Sequence, residues 1–465
     1  MRMSLNRRNV LKNLYALGAM TAGLGLFEGM QVNANTATAN KQVLSGKKII
    51  IVGAGISGLS AASLLKKHGA SVLVIEAKNY VGGRIKTDWS LGAPFEFGAG
   101  WIHGPSNNNP IKNLADRNGS KYFLTNDDSL ELFDRNGRKI KEDKIDEIDA
   151  RWNHCLQKID DELSYNSQLS LHDAIVNECS KEWSDQGIKW AATAYTEFDI
   201  GGPIEKISAS LYDEMKYFEG EDIIIASGYQ KILSSLAAGL NIKLNSPVHK
   251  IDYRNSLIHV DTEKESFKAD YIVCSVPLGV LKTNQIEFKP NLPVKHLSSI
   301  NKLGFGTVTK LALKFDDPFW NRNTQYFGTM TDEKGRWPYW LNYRTFSDEN
   351  ILLGLSFGNY ARKADNMSQK EIVDDGLDVL KNIWKDKVTK VNNFIATSWL
   401  TDPFSRGAYS YVEETNKEYD FDNLLEPVSN KLFLCGEHTI FKYAGTTHGA
   451  YLTGQKAAQS IISIT

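Results

Sequence analysis

Residues 47–60 read Lys47-Lys48-Ile49-Ile50-Ile51-Val52-Gly53-Ala54-Gly55-Ile56-Ser57-Gly58-Leu59-Ser60. The run Ile49–Val52 is too short for a helix and suits a strand buried on both faces. A helix is expected from Ile56 to His68, with Leu59, Leu64 and Leu65 among small residues; near Gly69 it gives way to a second β-branched strand, Ser71 to Ile75. In that setting each glycine has a physical task. Gly53 permits a tight turn, Gly55 lets the backbone approach a pyrophosphate, and Gly58 lets helix and strand pack closely. The helix aims unpaired N–H groups, worth roughly half a positive charge, at the phosphates. Glu76 closes the second strand, where a carboxylate accepts both ribose hydroxyls and disfavours a 2′-phosphate. A bare glycine turn with a surface glutamate would not need the complete strand–helix–strand unit.

Further along, Asp270 to Ser275 before Pro277 reads as another buried strand, and Lys431 to Cys435 before Gly436 as a third, with a helix from Gly449 onward. Strands of one kind at both ends of the chain imply a discontinuous domain. Residues 140–185 are charged and helix-like, and 305–360 are strand-rich with many aromatics, so an inserted α+β domain lies between. The expected class is α/β, with one domain from 47–110, 225–290 and 395–465 and the other from 111–224 and 291–394.

At 465 residues the chain exceeds one ordinary core. Its 42% hydrophobic and 23% charged residues are ordinary for a globular protein, and a net charge of -1 gives no pull toward nucleic acid or an anionic membrane. A small-molecule partner is expected. Cys155, Cys179, Cys274 and Cys435 have no metal-ligand spacing and no disulfide framework. A single Cys155–Cys179 bridge would need an oxidising compartment and a geometry that spacing does not reveal. At the amino end, Arg7-Arg8 before Asn9-Val10-Leu11-Lys12, an apolar stretch from Leu14 to Phe27 and Ala37-Thr38-Ala39 form a twin-arginine signal pattern over residues 1–39. The apolar stretch is shorter than the ~20 residues that span a bilayer. Export to a bacterial periplasm, with no membrane span after signal removal, is the expectation.

After Glu76 comes Val81-Gly82-Gly83-Arg84, a second glycine turn with a guanidinium suited to phosphate oxygens. This arrangement resembles the flavin-containing amine oxidases. Similar segments follow in order over roughly 47–462: Gly98-Ala99-Gly100-Trp101-Ile102-His103-Gly104, Ser227-Gly228-Tyr229-Gln230, Val276-Pro277-Leu278-Gly279-Val280-Leu281, Trp399 with Asp402-Pro403-Phe404, Gly407-Ala408-Tyr409-Ser410, and Gly436-Glu437 with Thr446-Thr447-His448-Gly449-Ala450. The likeness is greatest to polyamine and spermine oxidases. It implies a glutathione-reductase-like FAD domain, with cofactor contacts from Gly53, Gly55, Gly58, Glu76, Gly83, Arg84, Gly100, Trp101, Ile102, Val248, Trp399, Phe404, Gly436, Glu437 and Thr447. Ala408 stands where monoamine oxidases carry the cysteine that binds flavin covalently, so noncovalent FAD is implied.

The resemblance also assigns the chemistry. Alternation in Val308–Phe315 puts Lys310 and Lys314 on one face, which by pattern alone is a solvated strand face. Resemblance instead makes Lys310 the lysine that holds a water against flavin N5. Tyr409 resembles one wall of an aromatic cage around the substrate nitrogen. Thr446 occupies the opposite wall, leaving the cage half open and making small aromatic monoamines poor candidates. His103 sits where a His or Glu meets a distal amine, and its imidazole titrates near neutrality. His448 is read as structural. The implied reaction is hydride transfer from the amine α-carbon to flavin N5, imine hydrolysis, and reoxidation by O2 to H2O2. Two alternatives remain on the same fold: an L-amino-acid oxidase, for which Arg344 and Arg362 are available carboxylate clamps, and a non-catalytic FAD-binding protein.

Overall fold

The computed structural model describes residues 42–465, so the signal expected at 1–39 lies outside the described residues. At the centre is a five-stranded, wholly parallel sheet in the order Leu432–Leu434, Tyr271–Cys274, Lys48–Val52, Ser71–Ile75, Asn241–Lys243. Its middle strand is Ile49–Val52, and side chains alternate between two cores. Ile49 and Ile51 pack beneath the helices with Leu59 and Leu65, whereas Ile50 and Val52 pack on the opposite face with Val260 and Leu278. A strand buried on both sides needs apolar residues at every position, and this one has them.

Helix Ile56–Lys67 crosses over this sheet, and the carboxyl-terminal helix Thr447–Ile464 lies against it. The two helices touch through small residues: Ser60 Oγ donates to Tyr451 O at 2.8 Å, and a Cβ on Gly454 would lie 2.1 Å from Ser57 O. The first and last segments of the chain thereby share one layer.

The second layer is a six-stranded sheet in the order Val391–Ala396, Thr309–Phe315, Ile351–Ser356, Tyr339–Asn342, Tyr326–Thr329, Leu130–Phe133. It is antiparallel except for its last pair. Helices Glu142–Glu162 and Leu171–Glu178 pack over it through Trp152, Ile159 and Ile175. Two expected boundaries fall inside strands. Val391–Ala396 belongs to the six-stranded sheet and straddles 394/395, and Ile223–Ile225 pairs with both Trp101–Ile102 and Tyr122–Leu124, straddling 224/225. Edge pairing draws those limits, and local composition does not display it.

Cysteine spacing gave no ground to expect a bridge, yet Cys155 and Cys179 are disulfide-bonded, with Cα atoms 6.0 Å apart. The bridge ties Cys155, inside helix Glu142–Glu162, to Cys179, the C-cap of helix Leu171–Glu178. Cys274 and Cys435 are free and buried, as read. Among the described residues no cluster of metal-ligating side chains occurs, and no helix is long and apolar enough to cross a membrane.

Candidate functional site

A cavity of about 1580 Å³, measured to its open mouth, runs from the amino end of helix Ile56–Lys67 to the six-stranded sheet. Of the residues expected at the site, Gly55, Arg84, Gly100, Trp101, His103, Lys310, Trp399, Tyr409, Gly436, Glu437, Thr446 and Thr447 line it.

The glycine turn divides as its spacing required. Gly53 has φ +103°, and a Cβ there would lie 2.6 Å from Ser275 Oγ; a Cβ on Gly58 would lie 2.1 Å from Gly53 O. These two glycines sit behind the wall and close the packing. On Gly55, a Cβ would meet nothing nearer than Gly82 O at 4.0 Å, and this glycine faces the cavity. Gly55 is also the N-cap of the helix and has no side chain to cap it, so the first N–H groups are left to a ligand. Glu76 lies behind the turn, its carboxylate accepting from Ala54 N at 2.6 Å and Lys78 N at 2.8 Å. Burial raises its carboxyl above the ordinary range, and the two backbone N–H groups oppose that rise.

Arg84 reaches the cavity and uses Nη1 for both of its hydrogen bonds, to Glu437 Oε1 at 2.7 Å and Ala408 O at 2.7 Å. Nε and Nη2 stay available for an anion. Glu437 is fully committed to protein: besides Arg84 it accepts from the Ser410 hydroxyl, Ser410 N at 3.2 Å and Gly445 N at 3.1 Å. Burial pushes its carboxyl up, but Arg84, His438 and Ser410 outweigh that and keep it below its ordinary value. Its geometry makes Glu437 a holder of Arg84.

Lys310 overturns the solvated-face reading of its strand. Leu311, Leu313 and Phe315 pack into one core with Trp340 and Leu380, while the lysine face is covered by residues 91–100. Lys314 Nζ donates to Leu91 O at 2.9 Å, and Lys310 Nζ donates to Glu96 O at 2.9 Å and Gly98 O at 2.6 Å. Lys310 is 5% exposed. Burial pulls its ammonium down to about 8, against the opposing charge of Glu96. Three N–H groups with two carbonyl partners leave one donor for the cavity.

Tyr409 donates its hydroxyl to Phe198 O at 2.8 Å, and its ring lies over Gly201, where a Cβ would come within 2.0 Å of the ring. Thr446 lines the cavity and is also the N-cap of the last helix, accepting from Gly449 N at 3.0 Å. His103 Nδ1 lies 2.6 Å from Asp222 Oδ2, which fixes the ring at the mouth. His448 lines the cavity but packs edge-on against the stacked rings of Phe218 and Tyr443. Burial pushes its imidazole down to about 3, a neutral packing group as expected. Trp399 donates Nε1 to Phe97 O at 2.8 Å, and Thr447 Oγ1 meets Tyr229 OH at 2.9 Å.

Some expected contacts lie off the lining. Ile102 turns into the core with Ile111 and Ile223, Val248 begins a strand of a separate four-stranded sheet, and Phe404 sits in the loop after Trp399. Gly83 stands one residue behind Arg84, its carbonyl taken by Tyr80 OH at 3.0 Å. Residues not foreseen include Phe198, Asp199 and Ile200, which follow a π-helical turn at Ala192–Glu197, with Met215, Tyr217 and Val308. The helix break at Gly201-Gly202-Pro203 was the available signal, since π turns and helix ends gather at functional walls. Glu96 was also missed; burial raises its carboxyl to about 7 despite contacts from Tyr229 N at 2.7 Å and Thr87 Oγ1 at 2.7 Å.

The chain is 32% identical over 441 residues to polyamine oxidase 4 of Oryza sativa subsp. japonica, covering 90% of each chain, and 30% identical over 446 residues to polyamine oxidase 2 of Arabidopsis thaliana, covering 92% of this chain and 90% of the relative. A solved structure of a redesigned putrescine oxidase has the same fold, with a TM-score of 0.73 at 20% identity, covering 90% of this chain and 99% of that one. Residues 56–462 match the family described as flavin containing amine oxidoreductase. Since that match spans nearly the whole cavity lining, the chain belongs to the flavin-containing amine oxidoreductases and is an amine oxidoreductase built around a flavin.

Proposed function

We propose that the protein is an FAD-dependent amine oxidase that removes a hydride from the carbon beside an amine nitrogen, with a di- or polyamine as substrate, and that it is exported. The observation that carries this reading is one continuous cavity bearing the dinucleotide turn at one end and buried Lys310 with Tyr409 at the other. The residues fit FAD: the uncapped helix end with Gly55 suits the pyrophosphate and Arg84 has a free edge for an anion, while the ribose is assigned to Glu76 by the strand–turn–helix pattern alone. Ala408 before Tyr409 supports noncovalent attachment. The parallel sheet with its two helices is then the glutathione-reductase-like FAD domain, and the six-stranded sheet the substrate domain.

When bound, the flavin would supply the two-electron acceptor for the amine, and reoxidation would convert O2 with two protons into H2O2. The chain's own groups prepare the amine. An ammonium approaching the mouth meets the exposed carboxylate of Asp199, and the ring of Tyr409 attracts it by about 0.5–2 kcal/mol. Deeper in, burial disfavours charge, so the nitrogen loses its proton and its lone pair can stabilise the developing C=N bond. Lys310, anchored by two carbonyls, points its remaining N–H at a water for reoxidation or imine hydrolysis. Amino-acid oxidation would call for a clamping guanidinium. Arg344 is engaged with Asp348 and Arg362 with Phe305 O at 3.2 Å, and neither lines the cavity.

Anaerobic mixing of the FAD-loaded protein with a panel of di- and polyamines, monoamines and amino acids tests the reading. Loss of the visible flavin absorbance with polyamines, followed by peroxide on admitting air, is expected; no bleaching by any amine would leave only a flavin-binding scaffold. The Cys155–Cys179 bridge supports an oxidising destination. Host fractionation with Arg7→Lys and Arg8→Lys together should trap the protein inside the cell.

A further inference from the structure

Lys310 stands in a wall between two cavities. Behind the large one lies a small cavity with room for about one water, and Gly100, Trp101 and Lys310 line both. Ile224, Leu341 and Leu353 close its far side, but polar groups border it as well. Trp101 is 8% exposed, and its Nε1 is buried with no acceptor among the described residues. Glu96 is 7% exposed, and each carboxylate oxygen takes one donor, Tyr229 N at 2.7 Å and Thr87 Oγ1 at 2.7 Å, which leaves a lone pair on both. Tyr343 OH donates to Pro94 O at 3.1 Å and keeps its oxygen as an acceptor. A buried N–H without a partner is costly, and water settles where it finds two to four polar partners. One donor and two acceptors around so small a space meet that condition.

We propose that one buried water joins Trp101 Nε1 to the Glu96 carboxylate, and that Glu96, held ionised in this way, is the positioning residue that keeps Lys310 charged with its third N–H free for the large cavity. The two charged groups are neighbours. Lys310 Nζ donates to the Glu96 backbone oxygen at 2.9 Å and lies 5.6 Å over the Trp101 ring, and a Cβ on Gly100 would touch both Glu96 Cβ at 3.5 Å and Lys310 Nζ at 3.7 Å. Burial drives each toward its neutral form, Glu96 up to about 7 and Lys310 down to about 8, and the charge of each opposes the shift of the other. A third donor to the carboxylate favours its ionised form, and through it the charged lysine. The other titratable groups around the pair are neutral or paired. Burial holds Tyr229, Tyr343 and Tyr409 well above the ordinary tyrosine range. Lys314 on the same strand pairs with Glu349 at 2.6 Å, and Arg84 on the large cavity pairs with Glu437 at 2.7 Å.

Diffraction from FAD-loaded crystals should show one ordered water within hydrogen-bonding distance of both Trp101 Nε1 and Glu96. Nε1 bonded to the flavin instead, or no water between the two residues, overturns the proposal. The charge of Lys310 is read separately, by titrating the visible spectrum of bound, oxidised FAD without amine; this rests on the oxidase reading, which sets the lysine beside the ring. An inflection near pH 8 is expected, and its loss in Lys310→Met assigns it. Glu96→Gln keeps the side chain's size and removes its charge, so the inflection should move down by about one pH unit or more. Glu96→Asp, which restores the charge, should bring it back toward its original place. Trp101→Phe keeps Glu96 and removes the water's donor, so it should move the inflection in the same direction by less. An inflection unmoved in both Glu96→Gln and Trp101→Phe overturns the proposal. A protein that binds FAD but shows no inflection at all fails the oxidase reading's placement of the ring, and the water site is then decided by the diffraction alone.

Discussion

The parallel sheet and the six-stranded sheet meet at one cavity but furnish it in different ways. On the parallel side the working groups are mostly backbone: the turn Gly53–Gly58, the helix start at Gly55 and the strand end at Glu76 all fall within one short stretch. On the other side they are side chains from distant segments. Lys310 is held by carbonyls more than 200 residues away in sequence, and Tyr409 donates to Phe198, also more than 200 residues away. A backbone site is secured by steric limits on a few glycines, so it tolerates little change at them. A side-chain site is secured by burial, and its sensitivity is graded by how many partners each group holds.

The sharpest way to break that contrast is Gly58→Val. A Cβ at that place would lie 2.1 Å from Gly53 O, and the overpacking should cost about 3 kcal/mol or more. Protein purified without visible flavin absorbance is the expected outcome. A variant that keeps full flavin occupancy would show that the turn is not a steric device.

Next comes Lys310→Met, which removes one side chain and no backbone group. FAD should stay bound while turnover with O2 falls about 10²–10³-fold. Its pH profile sharpens the test. Burial lowers the ammonium to about 8, so Lys310 is charged below that pH, with three donors, and neutral above it, with two. The two carbonyls claim both of the latter, so the step that uses the third N–H should weaken as pH rises through about 8. In the methionine variant that limb of the profile should be missing.

Cys155→Ser addresses the substrate side alone. Closing a 24-residue separation is worth about 3 kcal/mol by chain entropy. Hydrogen exchange should accelerate in 142–178 and stay unchanged in 48–75. Equal acceleration in both would mean that the two regions unfold as one unit.

The smallest effect is expected of His103→Ala. Losing one hydrogen-bonding group at the mouth is worth about 1 kcal/mol, or roughly fivefold, and should raise KM for polyamines more than it lowers kcat. An equal effect on a short monoamine would remove His103 from distal-amine recognition.

Much of the fold was legible because its signals are local. Ile49–Val52 is apolar at every position since both faces are covered, and Thr446 caps the helix that Gly449 had marked. The local geometry was legible where it follows from immediate neighbours, as for the turn at Gly53 and the uncapped helix start at Gly55. Elsewhere pattern misled. Lys310 and Lys314 alternate with apolar residues as a solvated face would, and only the covering by 91–100 makes that face an interior. Phe198–Ile200 carried a helix-break signal but nothing to say that the break borders Tyr409. Cys155 and Cys179 became partners because two helices pack side by side.

Residue order alone settled the dinucleotide turn, because glycine spacing, strand and helix there act through steric limits on a few adjacent backbone atoms. Folding in three dimensions decided which lysine is buried, which carboxylate confronts it and where a second cavity opens behind it, because burial is a property of what covers a residue, and the covering here comes from segments far away along the chain.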